Sequence, residues 1–206
     1  MADGRTIGGL RIRRLTGRAL RESVGELARL RIEVFREFPY LYDGDLDYEA
    51  HYLETYIRSR DSALVAVYDG KNIVGASTAL PLLDETPNVI EPFERHGIDP
   101  AGVFYFGESV LLRPYRGRGV GVVFFEEREA WARSLGRFSV ACFCAVDRPA
   151  DHPRRPPDYV PLDGFWRKRG FERIAGMETW FVWKELDEAE QSPKRMLYWS
   201  KPLEPQ

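Results

Sequence analysis

Apolar and polar side chains alternate at different spacings along this chain, and the spacings divide it into strands and helices. Residues 10–15 alternate apolar and basic side chains, which predicts a strand. Residues 19–38 repeat apolar side chains at helical spacing, and Pro39 is expected to end that helix. A second helix is predicted over residues 48–58. The chain therefore begins with one strand and two helices.

A β-hairpin is predicted next. Two apolar stretches, residues 63–68 and 72–80, flank Asp69-Gly70, a dipeptide that favours tight hairpin turns. The remaining predicted strands cover residues 104–112, 138–146, 171–183 and 196–201, and the remaining predicted helices cover residues 120–135 and 162–169.

The resulting order is β-α-α-β-β-β-α-β-α-β-β in a single domain over residues 1–206. Strands mixed with helices after an early hairpin predict an α/β fold with a central mixed sheet covered by helices on both faces. Residues 1–8 are expected to form a flexible tail. Segments 81–100 and 147–160 are expected to be insertions, the first with a short helix near residues 90–96.

Composition narrows the class of protein. Hydrophobic residues make up 44% of the 206 residues, which is enough for a sizeable core. The net charge of -2 argues against bulk nucleic-acid binding, and no apolar run approaches the roughly 18 residues of a membrane span. No signal-peptide pattern begins the chain, and the two cysteines, Cys142 and Cys144, are too few for a disulfide framework. We therefore expect a cytoplasmic, reduced protein without membrane or nucleic-acid partners.

Residues 116–121, with the sequence Arg-Gly-Arg-Gly-Val-Gly, lie between an apolar strand and a helix. We call this segment the glycine turn. Its glycines allow consecutive backbone N–H groups to converge, and the helix N-terminus adds partial positive charge. The turn therefore predicts a site for a phosphate or pyrophosphate of a nucleotide-like cofactor. Its candidate binding residues are Arg116, Gly117, Arg118, Gly119, Val120 and Gly121.

The glycine turn resembles the acyl-CoA-binding motif of the GNAT superfamily of N-acyltransferases. Arg116, Gly119 and Gly121 carry the spacing Arg-x-x-Gly-x-Gly, and residues 112–114 match the apolar-x-Pro sequence that precedes it. Residues 165–171 form a weaker match, similar to the aromatic helix of the family that ends in Gly-Phe. The order of elements agrees over nearly the whole chain.

The resemblance implies acetyl-CoA as a co-substrate and no metal. Backbone N–H groups of the glycine turn would hold the pyrophosphate. The strand over residues 104–112 would splay from the next strand, so that backbone groups of Val110 and Leu112, with Leu111 between them, could pair with the pantetheine arm. The same edge would direct an N–H group at the thioester oxygen.

Glu108 is the candidate catalytic base. A carboxylate is unusual in so apolar a strand, and strand alternation places it on the same face as Val110 and Leu112 unless a bulge intervenes. It would accept a proton from the amine directly or through a water. The alternative is a buried ion pair, with an arginine of the proline-rich segment as one suggested partner. Ser109 points to the opposite face and is rejected as a nucleophile.

Trp166 stands where the resemblance implies a tyrosine that acts as general acid. An indole N–H is a poor proton source, so Trp166 is a candidate cofactor contact instead. Tyr159 is the candidate acid and Cys144 is another, although a thiolate leaves readily enough near neutral pH that no acid is required. His152 is expected to brace its loop, because it has no metal-ligand spacing with other histidines and a site shared with the two cysteines has poor geometry.

Tyr40, Tyr42 and Asp43 are the candidate substrate-binding residues. They begin an acidic and aromatic segment, and the resemblance implies that this segment lines the acceptor side. Carboxylates and aromatic faces suit a cationic amine. The alternative is a solvated helix N-terminus, where Asp is favoured.

The sequence therefore predicts an N-acetyltransferase that moves an acetyl group from acetyl-CoA to a primary amine by direct attack in a ternary complex. An alternative from another class is a non-catalytic acyl-CoA sensor that uses the same turn. A third is a nucleic-acid-binding module that uses the N-terminal arginines. The expected partner is a small-molecule amine, and a homodimer is a further hypothesis.

Overall fold

A computed structural model describes residues 4–204 of the chain. The strands are β1 (Arg5–Ile7), β2 (Leu10–Leu15), β3 (Ala63–Asp69), β4 (Asn72–Pro81), β5 (Val103–Leu111), β6 (Val140–Val146), β7 (Glu172–Trp183) and β8 (Ser192–Pro202). The helices are α1 (Gly17–Phe35), α2 (Leu46–Arg58), α3 (Pro87–Arg95), α4 (Val120–Ser134) and α5 (Asp163–Arg167). Across the described range, no helix is both long enough and apolar enough to cross a membrane.

The strands form one sheet in the order β1-β2-β3-β4-β5-β6-β8-β7. Neighbouring strands are antiparallel except β5 and β6, which are parallel. Those two strands pair only where Val103–Tyr105 meet Val140–Cys142, so their remaining residues diverge. The mixed α/β sheet and its splay agree with the prediction.

Helices cover both faces of the sheet, as predicted. On one face, α1, α2 and α3 bury Leu27, Leu53 and Phe93. On the other face, α4 buries Phe124 and Phe125. These two apolar layers are the core of the molecule, and the splay between β5 and β6 lies between them.

The N-terminal region differs from its expected flexible tail. Arg5–Ile7 form β1 and pair with β2, because Gly8 and Gly9 both adopt positive φ angles and close a tight turn between the strands. Three residues were too few for a periodic pattern to reveal this strand. Residues 1–3 of the expected tail lie outside the described residues.

The two expected insertions differ from each other. Segment 81–100 contains α3, whose Val89 and Phe93 are completely buried, so this segment is part of the core. Segment 147–160 contains no helix or strand. Its prolines and its position beside the splay place irregular backbone along the edge of a cleft.

Candidate functional site

A cleft of about 790 Å³ opens where β5 and β6 separate. It passes through the sheet, because its walls include Phe35 and Tyr40 on the side of α1 and Phe124 on the side of α4. The glycine turn and α5 form further parts of the wall. The cleft therefore connects the two helical layers where β5 and β6 stop pairing.

The glycine turn lies at this cleft and is built to expose its backbone. Gly117 and Gly119 have φ angles of 77° and 83°, a conformation that side chains disfavour. Within the described residues, the five consecutive N–H groups from Gly117 to Gly121 donate no hydrogen bond. They stand at the N-terminus of α4, where the helix dipole adds positive potential. This arrangement fits a bound phosphate or pyrophosphate.

The two arginine side chains of the turn bond to the protein itself. Arg116 makes a two-pronged ion pair with Glu37, at 2.7 and 3.1 Å, and donates to the Leu111 carbonyl at 2.9 Å. Arg118 donates to the Pro114 carbonyl at 2.9 Å. The sequence predicted two guanidinium groups for the anion. Arg116 is instead paired with Glu37, and Arg118 does not line the cleft, whereas the backbone N–H groups of the turn have no partner among the described residues.

The register of β5 corrects which of its residues face the cleft. The Leu112 N–H donates to the Val74 carbonyl of β4, and backbone direction alternates along a strand. Val110 and Leu112 therefore direct their backbone groups at β4, away from the cleft. Ser109 and Leu111 line the cleft instead. Leu111 was among the predicted residues, and Ser109 was missed because its backbone was not considered separately from its hydroxyl.

A β-bulge sets the position of Glu108. Ser77 pairs with Ser109 and Ala79 with Phe106, so two steps along β4 oppose three along β5. The bulge turns Gly107 and Glu108 toward the same helical layer. A Cβ atom on residue 107 would lie 2.0 Å from the Tyr56 hydroxyl, so only glycine fits there. Glu108 consequently faces α1 and α2 at the edge of the cleft.

Glu108 belongs to a buried cluster with Arg31 and Glu49, here called the Arg31 cluster. The Arg31 guanidinium contacts Glu108 at 2.6 Å and also bonds to Glu49. Their side chains are 8%, 1% and 0% exposed for Arg31, Glu108 and Glu49. Thr78 and Tyr52 donate further hydrogen bonds to Glu108, at 2.9 and 3.2 Å. The ion pair weighed as an alternative thus exists, with an arginine of α1 rather than one from the proline-rich segment.

A smaller pocket of about 70 Å³ adjoins the cleft and shares Glu108 and Tyr40 with it. We call it the aromatic pocket. Its aromatic lining residues are Phe35, Tyr40, Tyr42, Tyr48, Tyr52, Tyr105, Phe181 and Trp183. The Tyr42 hydroxyl is buried and has no hydrogen-bond partner among the described residues. Two of the three predicted substrate-binding residues therefore reach this pocket.

Asp43, the third of them, does not. Its carboxylate bonds to Lys184 at 3.1 Å and to Arg36 at 3.4 Å, and it lines neither the cleft nor the aromatic pocket. Its neighbour Asp45 caps α2 by accepting a hydrogen bond from the Tyr48 N–H at 2.9 Å. The acidic residues of this segment therefore agree with the alternative, in which they belong to a solvated helix N-terminus.

Both candidates for the general acid line the cleft, as does Trp166. Burial raises the pKa of Tyr159 above its ordinary value. Burial also raises the pKa of the Cys144 thiol to about 12, although the Tyr105 hydroxyl 3.1 Å away opposes that change. Cys144 therefore stays protonated at neutral pH and is a weak acid. Trp166 packs against Phe143, with ring centroids 5.0 Å apart.

His152 does brace its loop, since its Nδ1 accepts a hydrogen bond from the Arg154 N–H at 3.2 Å. Cys142 and Cys144 are free, buried thiols. Over residues 4–204, no group of three or more His, Cys, Asp or Glu side chains is arranged to hold a metal ion.

Arg31 and Arg128 were not predicted as site residues, although the sequence contains a signal for both. Arg31 lies four residues from Leu27 on the apolar stripe of α1, and Arg128 lies four residues from Phe124 on that of α4. A charged residue on an apolar stripe is unusual. The same reasoning that selected Glu108 on its strand would have selected both.

Glu85 extends the polar network of Glu108 and supports a prediction about pH. It accepts a hydrogen bond from the Tyr56 hydroxyl at 3.3 Å, and burial raises its pKa to about 7. Between the ordinary pKa of glutamate and about pH 7, Glu85 is ionised in the unfolded chain but protonated in the folded protein. Raising the pH through this range therefore lowers the free energy of unfolding. Glu85→Gln removes this effect. The melting temperature of the variant relative to wild type should rise from about pH 5 to about pH 7 and then level off.

Thermal melts across that pH range test this expectation. Glu94→Gln is the control, because Glu94 lies exposed on α3. A difference in melting temperature between Glu85→Gln and wild type that stays constant with pH would contradict it.

Comparisons with known proteins identify the fold. No protein-family model matches the chain, and no curated protein sequence matches it. Solved structures do match it. Ribosomal-protein-alanine N-acetyltransferase from Brucella melitensis has a TM-score of 0.58 at 17% identity, covering 93% of this chain and 99% of that one. A GNAT-family acetyltransferase from Streptococcus pneumoniae has a TM-score of 0.57 at 15% identity, covering 95% and 99%.

A third match contains a ligand. PaiA N-acetyltransferase from Thermoplasma acidophilum, in complex with coenzyme A, has a TM-score of 0.53 at 13% identity, covering 94% of this chain and 98% of that one. The chain therefore has the GNAT N-acetyltransferase fold over nearly its whole length.

Proposed function

Because the chain has the GNAT fold, we propose that it transfers an acetyl group from acetyl-CoA to a primary amine by direct attack in a ternary complex. The observation that carries this proposal is the run of five backbone N–H groups without a partner from Gly117 to Gly121, at the wall of the cleft. Such a run suits the pyrophosphate of coenzyme A. A cleft that connects both helical layers suits two substrates that meet.

The residues present fit coenzyme A in two further respects. On its β6 side, β5 has no neighbouring strand beyond Tyr105. Backbone groups of Ser109 and the N–H of Leu111 would therefore pair with the amides of a pantetheine arm. Trp166 and Phe165 offer apolar surface along the same cleft. Coenzyme A would supply the activated acyl group, and the chain would supply orientation and proton transfer.

The aromatic pocket is the proposed acceptor site. Its many aromatic faces attract a cationic amine. Glu108 adds a carboxylate to the lining of the pocket, beside its ion-pair partner Arg31. Tyr42 contributes a hydroxyl that an amine could satisfy. A small-molecule amine fits a pocket of about 70 Å³ better than a bulky partner does.

Glu108 is the proposed base, since it touches both the cleft and the aromatic pocket. The amine nitrogen would form a bond to the thioester carbon as one electron pair of the C=O bond moves onto oxygen, and the C–S bond would break as that pair returns. The electron pair of that bond leaves on the sulfur of coenzyme A. One proton of the amine would pass to the Glu108 carboxylate, directly or through a water. Tyr159, which lines the cleft, would protonate the departing thiolate.

The rival proposal is a non-catalytic acyl-CoA sensor. Two observations favour it. Glu108 already accepts hydrogen bonds from Arg31, Tyr52 and Thr78, and Trp166 replaces an ionisable tyrosine. Both proposals require coenzyme A to bind at the glycine turn, so they differ only in whether an amine is consumed.

Gly119→Val tests the shared requirement. A side chain at a φ of 83° strains the turn, and its Cβ would lie 3.0 Å from Ile7. Losing two backbone hydrogen bonds to a charged group, worth about 1.5 kcal/mol each, should weaken coenzyme A binding about a hundredfold in calorimetry. Gly136→Val is the control, because Gly136 has a φ of 70° but ends α4 far along the chain from the turn. Unchanged affinity in Gly119→Val would count against the turn as the binding site.

An amine library with acetyl-CoA, with free thiol as the readout, tests the acceptor. We expect turnover of cationic primary amines. A preference for anionic acceptors would contradict the aromatic pocket as their site, and failure of the wild-type chain to bind coenzyme A would overturn the function itself.

A further inference from the structure

Arg128 is a buried guanidinium without a salt bridge of its own. The residue is 2% exposed, yet it makes no salt bridge with any carboxylate of residues 4–204. Its guanidinium lies over the rings of Phe106 and Phe125, 4.4 and 4.9 Å from their centroids. Burial lowers its pKa to about 9, although the carboxylates of Glu108 and Glu129 oppose that change, and the group stays charged at neutral pH.

Only part of this guanidinium is hydrogen-bonded. Nε donates to the Phe124 carbonyl at 3.1 Å, and Nη1 donates to the Thr78 carbonyl at a long 3.4 Å. Nη2 donates to no described residue, and Arg128 lines the cleft. A buried charge without a salt bridge is costly, so an open N–H group of such a charge in a cleft wall points to an anion that arrives there.

The place of Arg128 in the cleft identifies that anion. Thr78 lies opposite the β5 bulge, so Nη1 reaches the point where β5 leaves β6. Arg128 is also eight residues beyond Val120, about 12 Å along the axis of α4 from the glycine turn. A pantetheine arm bound along the cleft from the turn would reach this point. The acyl end of the donor, rather than its phosphates, therefore meets Arg128.

We propose that Arg128 stabilises the negative charge that develops on the thioester oxygen during acyl transfer. The inference rests on the proposed function. As the amine nitrogen bonds to the thioester carbon, one electron pair of the C=O bond moves onto oxygen, beside Nη2 of Arg128. The pair returns when the C–S bond breaks and the thiolate leaves. A neutral carbonyl gains little from this cation, so the interaction is strongest in the transition state.

Arg128→Met separates this role from a structural one. Methionine has a similar volume and removes an unpaired buried charge, so the melting temperature should stay the same or rise. The value of kcat should fall about a hundredfold to a thousandfold, with KM for both substrates and the Kd of free coenzyme A nearly unchanged. Arg173→Met is the control, because Arg173 lines the cleft but is exposed. Its kcat should stay close to that of wild type.

Several outcomes would overturn the inference. A melting temperature lowered by several degrees in Arg128→Met would make Arg128 a brace for the bulge. Weaker coenzyme A binding would make it a cofactor contact, and an unchanged kcat would leave it without a catalytic role. These results concern Arg128 alone, whereas a wild-type chain that consumes no amine overturns the proposed function together with this inference. If Arg128→Met fails to fold, Arg128→Gln takes its place, with the same losses expected because the amide is neutral.

Discussion

Replacing Glu108 by glutamine should lower kcat by about a hundredfold to ten-thousandfold, the usual contribution of a positioned base. Glutamine has the same shape, and its single oxygen in the place of Oε2 can still accept from Arg31 and Tyr52. Its NH2 group can then donate to the Thr78 hydroxyl, so the local packing is kept. Its amide cannot take up the proton of the attacking amine. Free thiol release under saturating substrates measures the loss, and coenzyme A binding by calorimetry should be unchanged.

The matched control is Glu49→Gln. Both carboxylates bond to Arg31, but only Glu108 lines the cleft and the aromatic pocket. Both variants therefore remove one carboxylate from the Arg31 cluster, but only Glu108→Gln removes the proposed base. Equal decreases in kcat for the two variants would show that the cluster matters only for structure. Normal coenzyme A binding with no turnover of any amine in wild type would favour the sensor.

Replacing Arg31 by methionine should lower the free energy of unfolding by about 3–5 kcal/mol, because Glu49 and Glu108 would be left buried without a counter-charge. Their side chains are 0% and 1% exposed, so water cannot compensate. Urea denaturation near neutral pH measures the change. Arg29→Met is the control on the same helix, since its ion pair with Glu26 is exposed and contributes less than about 1 kcal/mol.

A combined variant examines the cause of that loss. Arg31→Met together with Glu49→Gln and Glu108→Gln contains no charge in the cluster, so it should recover much of the stability lost by Arg31→Met alone. If the triple variant is as unstable as the single one, the packing of the arginine stem, rather than the charges, would account for the loss.

The features that the sequence predicted well are local ones. The glycine turn, the helix that follows it and the hairpin at Asp69-Gly70 each depend on neighbouring residues, and the structure contains all three. The strand β1 was missed because three residues carry no period. The start of β8 at Ser192 was missed because Pro193 and Lys194 interrupt the apolar pattern that begins at Met196.

The candidate site depended more on contacts between distant residues. Glu108 was selected correctly as an unusual buried carboxylate, but its partner Arg31 lies 77 residues away and could not be identified from spacing. The bulge at Gly107 and the register against β4 decide which backbone groups face the cleft. That register shifted the expected contacts from Val110 and Leu112 to Ser109 and Leu111. Asp43 was misplaced because Lys184, its partner, comes from the far end of the chain.

The divergence of β5 and β6 has one more consequence. Because the gap between them is lined from both helical layers, molecules bound in opposite layers could touch within it. A donor bound against α4 and an acceptor bound against α1 and α2 would each approach the gap from its own side of the sheet. Neither substrate would have to dissociate before the other bound. The acyl group could then pass directly between them, without an acylated side chain as an intermediate.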